Sequence, residues 1–228
     1  MRLTIISNNC EHLKTEQVIS KLSAKSCYEI TLTTLPFIKR KQRRPLLDHR
    51  PNQMLGMGPV EISKQYDLEL VHFDHASEIK LQNYDYAIIT AGIILPLDTM
   101  KASQEKIINC HSGNIPTVRG QDAFKWAIYN KQLLVNTLHF IDEEVDAGRV
   151  LAKSRTPVFK NDSIQALALR HYECEIELLS NFQQHLCNPS QIKFGGEVSI
   201  SVPYKRMNNA TEKNLLGKFV EYREEFGE

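Results

Sequence analysis

The chain has 228 residues, 42% of them hydrophobic and 24% charged, with a formal net charge of +1. This supports a full core in one large domain, or one domain with a small appendage, and excludes a global electrostatic pull toward nucleic acid. No apolar run could span a membrane, and Leu3-Thr4-Ile5-Ile6 after Met1-Arg2 is too short for a signal peptide, so a cytoplasmic protein is expected. The five cysteines (Cys10, Cys27, Cys110, Cys174 and Cys187) are odd in number, scattered and without zinc spacing. They read as buried free thiols in a reducing compartment.

In chain order, Leu3–Ile6 reads as a buried strand that ends in the polar turn Ser7-Asn8-Asn9. A helix follows with Val18, Ile19 and Leu22 on one face. Glu29–Leu35 is a second strand. A long polar segment between Pro36 and Gly58 leads to a helical patch at Val60–Tyr66 and a strand at Leu70–Phe73. Tyr86–Thr90 is a continuous apolar run, as expected of a parallel strand covered on both faces. Ile107–Cys110 is a further short strand, Asp122–Tyr129 a helix, and Val135–Ile141 and Arg149–Lys153 β-rich segments around the Asp146-Ala147-Gly148 turn. The clearest helix spans Ser163 to Leu186, with a start resembling a capping box at Asp162 and Gln165. Beyond Pro189, Glu197–Val202 alternates like a strand and Thr211–Phe226 is a charged amphipathic helix.

Strands alternating with helices imply an α/β fold: Rossmann-like, with a mainly parallel twisted sheet and helices on both faces. Residues 1–189 are expected to form the main domain and 190–228 a C-terminal strand–helix extension. That extension suits a homodimer contact or a cover over part of a binding site.

Asn109 and His111 stand at the end of the Ile107–Cys110 strand, and Asp146 on a separate loop. In open parallel sheets ligands bind outside the carboxyl ends of the strands. There an amide, an imidazole and a carboxylate can polarise a carbonyl-like carbon and manage a proton without a metal or a covalent intermediate. A bare Asn-x-His is unspecific. No metal is expected: His72 and His75 share one short stretch but have no third ligand.

The longer pattern is more specific. It reads Asn109-x-His111, Pro116, Arg119-Gly120, Trp126-Ala127-Ile128, Thr137-x-His139 and Asp146-x-Gly148. In this order it resembles the folate-dependent formyltransferases, a family that includes glycinamide ribonucleotide, methionyl-tRNA and amino-sugar formyltransferases. The strong part of the resemblance covers residues 86 to 152. It implies transfer of a formyl group from 10-formyltetrahydrofolate, as co-substrate, to an amine, with Asn109, His111 and Asp146 as the catalytic residues. Asn109 and His111 would donate toward the developing oxyanion, and Asp146 would hold the imidazole protonated or take the amine proton. The resemblance places the pterin against the loop after Tyr86–Thr90, at Ala91, Gly92, Ile94, Leu95 and Leu97. Asp142 and Val145 would close the other side. Arg119, Gly120, Gln121 and His139 are expected to face the acceptor. The chain departs from the family at Ser112-Gly113, where many members carry Pro-Ser or a similar pair.

Three features bear on the acceptor. The loop Ser7-Asn8-Asn9-Cys10 lacks the glycines that glycinamide ribonucleotide enzymes use to cradle a phosphate. The basic run Lys39-Arg40-Lys41-Gln42-Arg43-Arg44, to which His49 and Arg50 could add, suits tRNA phosphates or the diphosphate of a nucleotide-sugar. The roughly 35 residues after the catalytic region are too few for the C-terminal barrel of methionyl-tRNA formyltransferases. Elimination favours an amino-sugar N-formyltransferase acting on a nucleotide-linked sugar, with neither nucleic acid nor membrane as partner. Phe124, Trp126 and Tyr204 are candidates to stack on the base, although Trp126 is expected chiefly to pack on the core. Another small-molecule amine or methionyl-tRNA as acceptor, hydrolysis by a formyltetrahydrofolate deformylase, and non-catalytic folate binding remain alternatives.

Overall fold

The computed structural model describes residues 1–38, 44–93, 95–102, 105–141, 143, 146, 148–187 and 201–228. The chain packs as two compact units. The first comprises Met1–Lys41, Asn52–Asn109 and Phe140–Glu143; the second comprises Gln42–Pro51, Cys110–His139 and Glu144–Glu228.

The first unit holds strands β1 (Arg2–Asn8), β2 (Glu29–Leu35), β3 (Glu69–His72) and β4 (Tyr86–Ile89), and the start of β5 (Ile107–His111). They run in the order β3-β2-β1-β4-β5, every neighbouring pair parallel, with Ile5 opposite Leu32 on one side and Ile88 on the other. Leu3, Ile5, Ile6 and Ile88 are completely buried, which is why β1 and β4 lack polar alternation. Helix α1 (Leu13–Ser23) buries Val18, Ile19 and Leu22, and α2 (Pro59–Tyr66) opens with proline at its first position and ends at a left-handed Asp67. A short helix that the sequence did not announce, α3 (Leu97–Ala102), begins within the loop that follows β4. Ile6, Leu35, Ala87, Ile89, Leu95 and Ile107 share one apolar cluster, with Ile93 and Met100 packed against it.

The second unit contains the end of β5, helix α4 (Ala123–Tyr129), strand β6 (Val135–Phe140) except its last residue, strand β7 (Val150–Arg155), and helices α5 (Ile164–Ser180), α6 (Phe182–Cys187) and α7 (Asn209–Phe226). Strands β6 and β7 are antiparallel, with a register shift between Leu138 and His139. The long helix expected from Ser163 to Leu186 is divided at Asn181, whose side-chain amide turns back to the Glu177 carbonyl at 3.0 Å. Its cap is Ser163, whose hydroxyl accepts from the Ala166 N–H; Asp162 instead forms a two-pronged ion pair with Arg170 at 2.8 Å.

Helix α7 is part of this unit's core. Leu215, Phe219 and Tyr222 lie in one cluster with Phe124, Ala127 and Ile128 of α4, and the Tyr222 hydroxyl donates to the Gln132 carbonyl at 2.9 Å. Lys125 and Glu212, 1% and 0% exposed, form an ion pair at 2.5 Å. Glu212 also accepts from the backbone N–H groups of Leu46 and Leu47, so a buried carboxylate is satisfied on three sides.

The expected α/β class, Rossmann-like and mainly parallel, is present, as is the C-terminal helix. The expected strand Glu197–Val202 falls mostly outside the described residues, and Ser201 and Val202 form no strand. All five cysteines are free, but Cys110 alone is buried while Cys27 and Cys187 are exposed, which corrects the expectation of a uniformly buried set. No helix among the described residues is long and apolar enough to cross a membrane.

Candidate active site

Strand β5 brings Asn109 and His111 to one face, since alternate residues of a strand point the same way. Asp146 sits on the loop before β7 with φ of 50°, a left-handed backbone that aspartate tolerates better than most residues. Its carboxylate accepts the Gly120 N–H at 3.0 Å and lies 3.4 Å from His111 Nδ1. The two side chains are 14% and 9% exposed, so their electrostatic interaction is only weakly screened by water.

The other ring nitrogen is also occupied. His111 Nε2 is 3.0 Å from the Val118 carbonyl oxygen. A carbonyl only accepts, so Nε2 carries a hydrogen, and Nδ1 is the ring atom that faces the Asp146 carboxylate. Burial lowers the His111 pKa, outweighing the opposing pull of Asp146 and of the Val118 bond. The ring N–H at Nε2, expected to face an oxyanion, is engaged with Val118.

The acceptor-side candidates are held by the chain itself. Arg119 is 3% exposed and donates to the Ser201 carbonyl at 3.3 Å. Gly120 has φ of +88°, and a β-carbon there would fall 2.4 Å from the Tyr204 carbonyl oxygen, so only glycine fits. The Gln121 N–H donates to that same oxygen at 2.9 Å. His139 is 2% exposed on β6. Trp126 and Tyr204 stack on each other with centroids 4.9 Å apart, and Phe124 is fully buried. Phe124 is thus a core residue and not a platform for a base, because α4 turns it toward α7. His49 packs parallel to Phe124 and its pKa is pushed down to about 3, mainly by burial, so it adds no charge to a cationic patch.

Within the first unit, Ala91 and Gly92 follow β4, Leu95 is 4% exposed within the apolar cluster, and Leu97 is 44% exposed at the start of α3. Ile94, Asp142 and Val145, and Lys39 through Arg43 of the basic run, lie outside the described residues. Arg44 is exposed. Among the described residues no three His, Cys, Asp or Glu side chains are grouped to hold a metal ion.

Residues 45–182 match the formyl transferase family. The chain belongs to the formyl transferase family. It is 28% identical over 108 residues to a chloroplastic phosphoribosylglycinamide formyltransferase of Vigna unguiculata, covering 44% of this chain and 35% of that protein. The chain thus spans about a third of that curated relative's length. In fold it resembles phosphoribosylglycinamide formyltransferase from Bacillus halodurans (TM-score 0.61, 16% identity, 86% of this chain and 100% of that one). It also resembles a sugar N-formyltransferase from a Shewanella species (TM-score 0.60, 18% identity, 96% of this chain and 87% of that one).

In this formyl transferase chain one polar cluster escaped the sequence reading. Ser112, directly after His111, accepts from Arg50 at 3.0 Å, and Arg50 pairs at 3.2 Å with Glu175, which is 1% exposed. His171, one turn before Glu175 on α5, has Nδ1 2.7 Å from the Thr156 hydroxyl, and burial holds its pKa down to about 4. The available signal was two polar residues at positions 171 and 175, four apart on the otherwise apolar face made by Leu167, Ala168, Leu178 and Leu179.

Proposed function

We propose that this chain is a 10-formyltetrahydrofolate-dependent N-formyltransferase whose acceptor is the amine of a nucleotide-linked amino sugar. The observation that carries the reaction type is the buried His111–Asp146 pair; Asn109 stands two residues before His111 on β5. The acceptor nitrogen forms a bond to the formyl carbon, the carbonyl electrons move to oxygen, and collapse breaks the bond to N10 of the folate. In this reading Asn109 donates to the oxyanion, and His111 Nδ1 takes the proton lost by the amine. Asp146 stabilises the imidazolium until the proton passes to the departing nitrogen, directly or through water. We assign the pterin to Ala91, Gly92, Ile94, Leu95 and Leu97 with Asp142 and Val145, and the acceptor side to Arg119, Gly120, Gln121 and His139. The structural ties of Arg119 and Gly120 make theirs a shaping role.

The N-terminus of α1 supports the choice of acceptor. A helix N-terminus binds phosphate when its first N–H groups are open. Here the Lys14 N–H donates to the Gln53 side chain at 3.0 Å, the Thr15 N–H to His12 Nδ1 at 3.3 Å, and the His12 N–H to the Met57 carbonyl at 3.3 Å. These N–H groups are engaged from within the chain, which weighs against a ribonucleotide phosphate there. The basic residues Lys39–Arg44 are the alternative grip, suited to a diphosphate.

The test is incubation with 10-formyltetrahydrofolate and, separately, nucleotide-linked amino sugars, glycinamide ribonucleotide and methionyl-tRNA. Tetrahydrofolate release and formyl mass gain on the acceptor are followed. Turnover with an amino sugar supports the proposal, turnover with another amine corrects the acceptor, and turnover without any amine identifies a deformylase. Binding of folate without turnover removes the enzymatic reading.

A further inference from the structure

The chain departs from the family pattern at Gly113, and the same residue lies beneath the His111 ring. A β-carbon built on Gly113 would fall 2.6 Å from His111 Nε2, 2.9 Å from Cδ2 and 2.3 Å from the Val118 carbonyl oxygen. All three are closer than non-bonded atoms approach, so the Nε2–Val118 bond requires a residue without a side chain at position 113. The turn that presents this carbonyl is fixed from several sides. The Thr137 hydroxyl donates to the Gly113 carbonyl at 2.6 Å and accepts from the Ile115 N–H at 3.2 Å. Lys153 donates to the Asn114 side chain at 2.8 Å and to the Ile115 carbonyl at 2.5 Å. The Thr117 and Val118 N–H groups both donate to the Asn114 carbonyl at 2.8 Å. With the turn so held, neither the carbonyl nor the ring can step aside cheaply.

We propose that Gly113 is a positioning residue. It admits the His111 imidazole against the Val118 carbonyl, fixes the Nε2–H tautomer, and thereby dedicates Nδ1, facing Asp146, to carrying the reaction's proton. The role in turnover rests on the proposed formyl transfer, but the tautomer does not. Holding a histidine by its second nitrogen sets which ring atom does chemistry, and a displacement of about 1 Å can cost up to roughly a hundredfold in rate. Thr137 on β6 and Lys153 on β7 serve this geometry by anchoring the turn.

The experiment is a long-range proton–nitrogen NMR spectrum of the full chain labelled with 15N-histidine, recorded near pH 7. The His111 signals are assigned by their loss in His111→Gln. The expected spectrum shows Nε2 protonated and Nδ1 bare. In Gly113→Ala that single-tautomer pattern is lost, kcat for formyl transfer falls roughly tenfold or more with KM for the folate nearly unchanged, and the pH profile shifts. A wild-type spectrum with Nδ1 protonated and Nε2 bare overturns the proposal, whether or not Gly113→Ala folds. An unaltered His111 spectrum in a folded Gly113→Ala protein overturns it as well. The expected spectra in a protein that transfers no formyl group support the tautomer assignment and place the failure with the proposed reaction.

Discussion

The two units differ in what they bury. In the first, Leu3, Ile5, Ile6, Ile88 and Ile89 fill the interior, and the buried polar groups are mostly hydroxyls: Thr4, Ser7, Thr15, Thr33, Thr34 and Thr90, with Lys14 the charged exception. These hydroxyls satisfy one another, as where Thr15 meets Ser7 at 2.7 Å and Thr90 at 2.8 Å. In the second, ionisable side chains are enclosed: His111, Arg119, Lys125, His171, Glu175 and Glu212. Hydroxyl pairs cost little and are insensitive to pH, whereas enclosed charges must be matched and make the unit's stability conditional. The first unit therefore reads as scaffold, and the second carries the groups able to move protons.

This contrast can be broken most severely at Glu212. Glu212→Ala strands the Lys125 ammonium and the Leu46 and Leu47 N–H groups, and a loss of about 3–5 kcal/mol in denaturant unfolding is expected. A loss under about 1 kcal/mol would show that the pair is not enclosed in solution. Next, Asp146→Ala should lower formyl transfer by roughly a hundredfold or more, about 2.7 kcal/mol of barrier, with an unchanged circular dichroism spectrum.

A third effect concerns pH. His171 has a folded pKa of about 4 against an ordinary 6.5, set mainly by burial. The unfolded chain then binds the extra proton first, so the stability present above about pH 6.5 declines as pH falls toward 4. At pH 5 this one group costs about 2 kcal/mol. Denaturant midpoints measured from pH 7 to 5 should fall, and His171→Asn should flatten the slope. The smallest effect sharpens the contrast from the other side. Ile88→Val in β4 should cost about 1 kcal/mol, with the same value at pH 7 and pH 5.

The same contrast explains what could be read from the sequence. Continuous apolar runs such as Tyr86–Ile89 and the spacing of Val18, Ile19 and Leu22 announce buried strands and a helix face without reference to distant residues. The family pattern names His111 and Asp146 because both stand in short motifs. Arg50, Glu175 and Ser112 are legible only once the fold brings residues 50, 112 and 175 together, since no local rule pairs them. Helix α3 was missed because six residues opening on Leu97 and Asp98 carry too little periodicity. The division of α5 from α6 at Asn181 was missed because the apolar spacing continues through Phe182 while a single side-chain amide ends the helix. The resting charge of His111 depends on burial against one carboxylate, a balance that spacing does not encode.

The central claim is that His111 and Asp146 act as one proton-handling unit. Single-turnover formyl transfer from 10-formyltetrahydrofolate to the accepted amine, compared among the wild type, His111→Ala, Asp146→Ala and the double variant, tests it most directly. The account predicts that the double variant is about as slow as the slower single variant, because either loss disables the pair. Independent, multiplying losses, or near-wild-type turnover in either single variant, would contradict it.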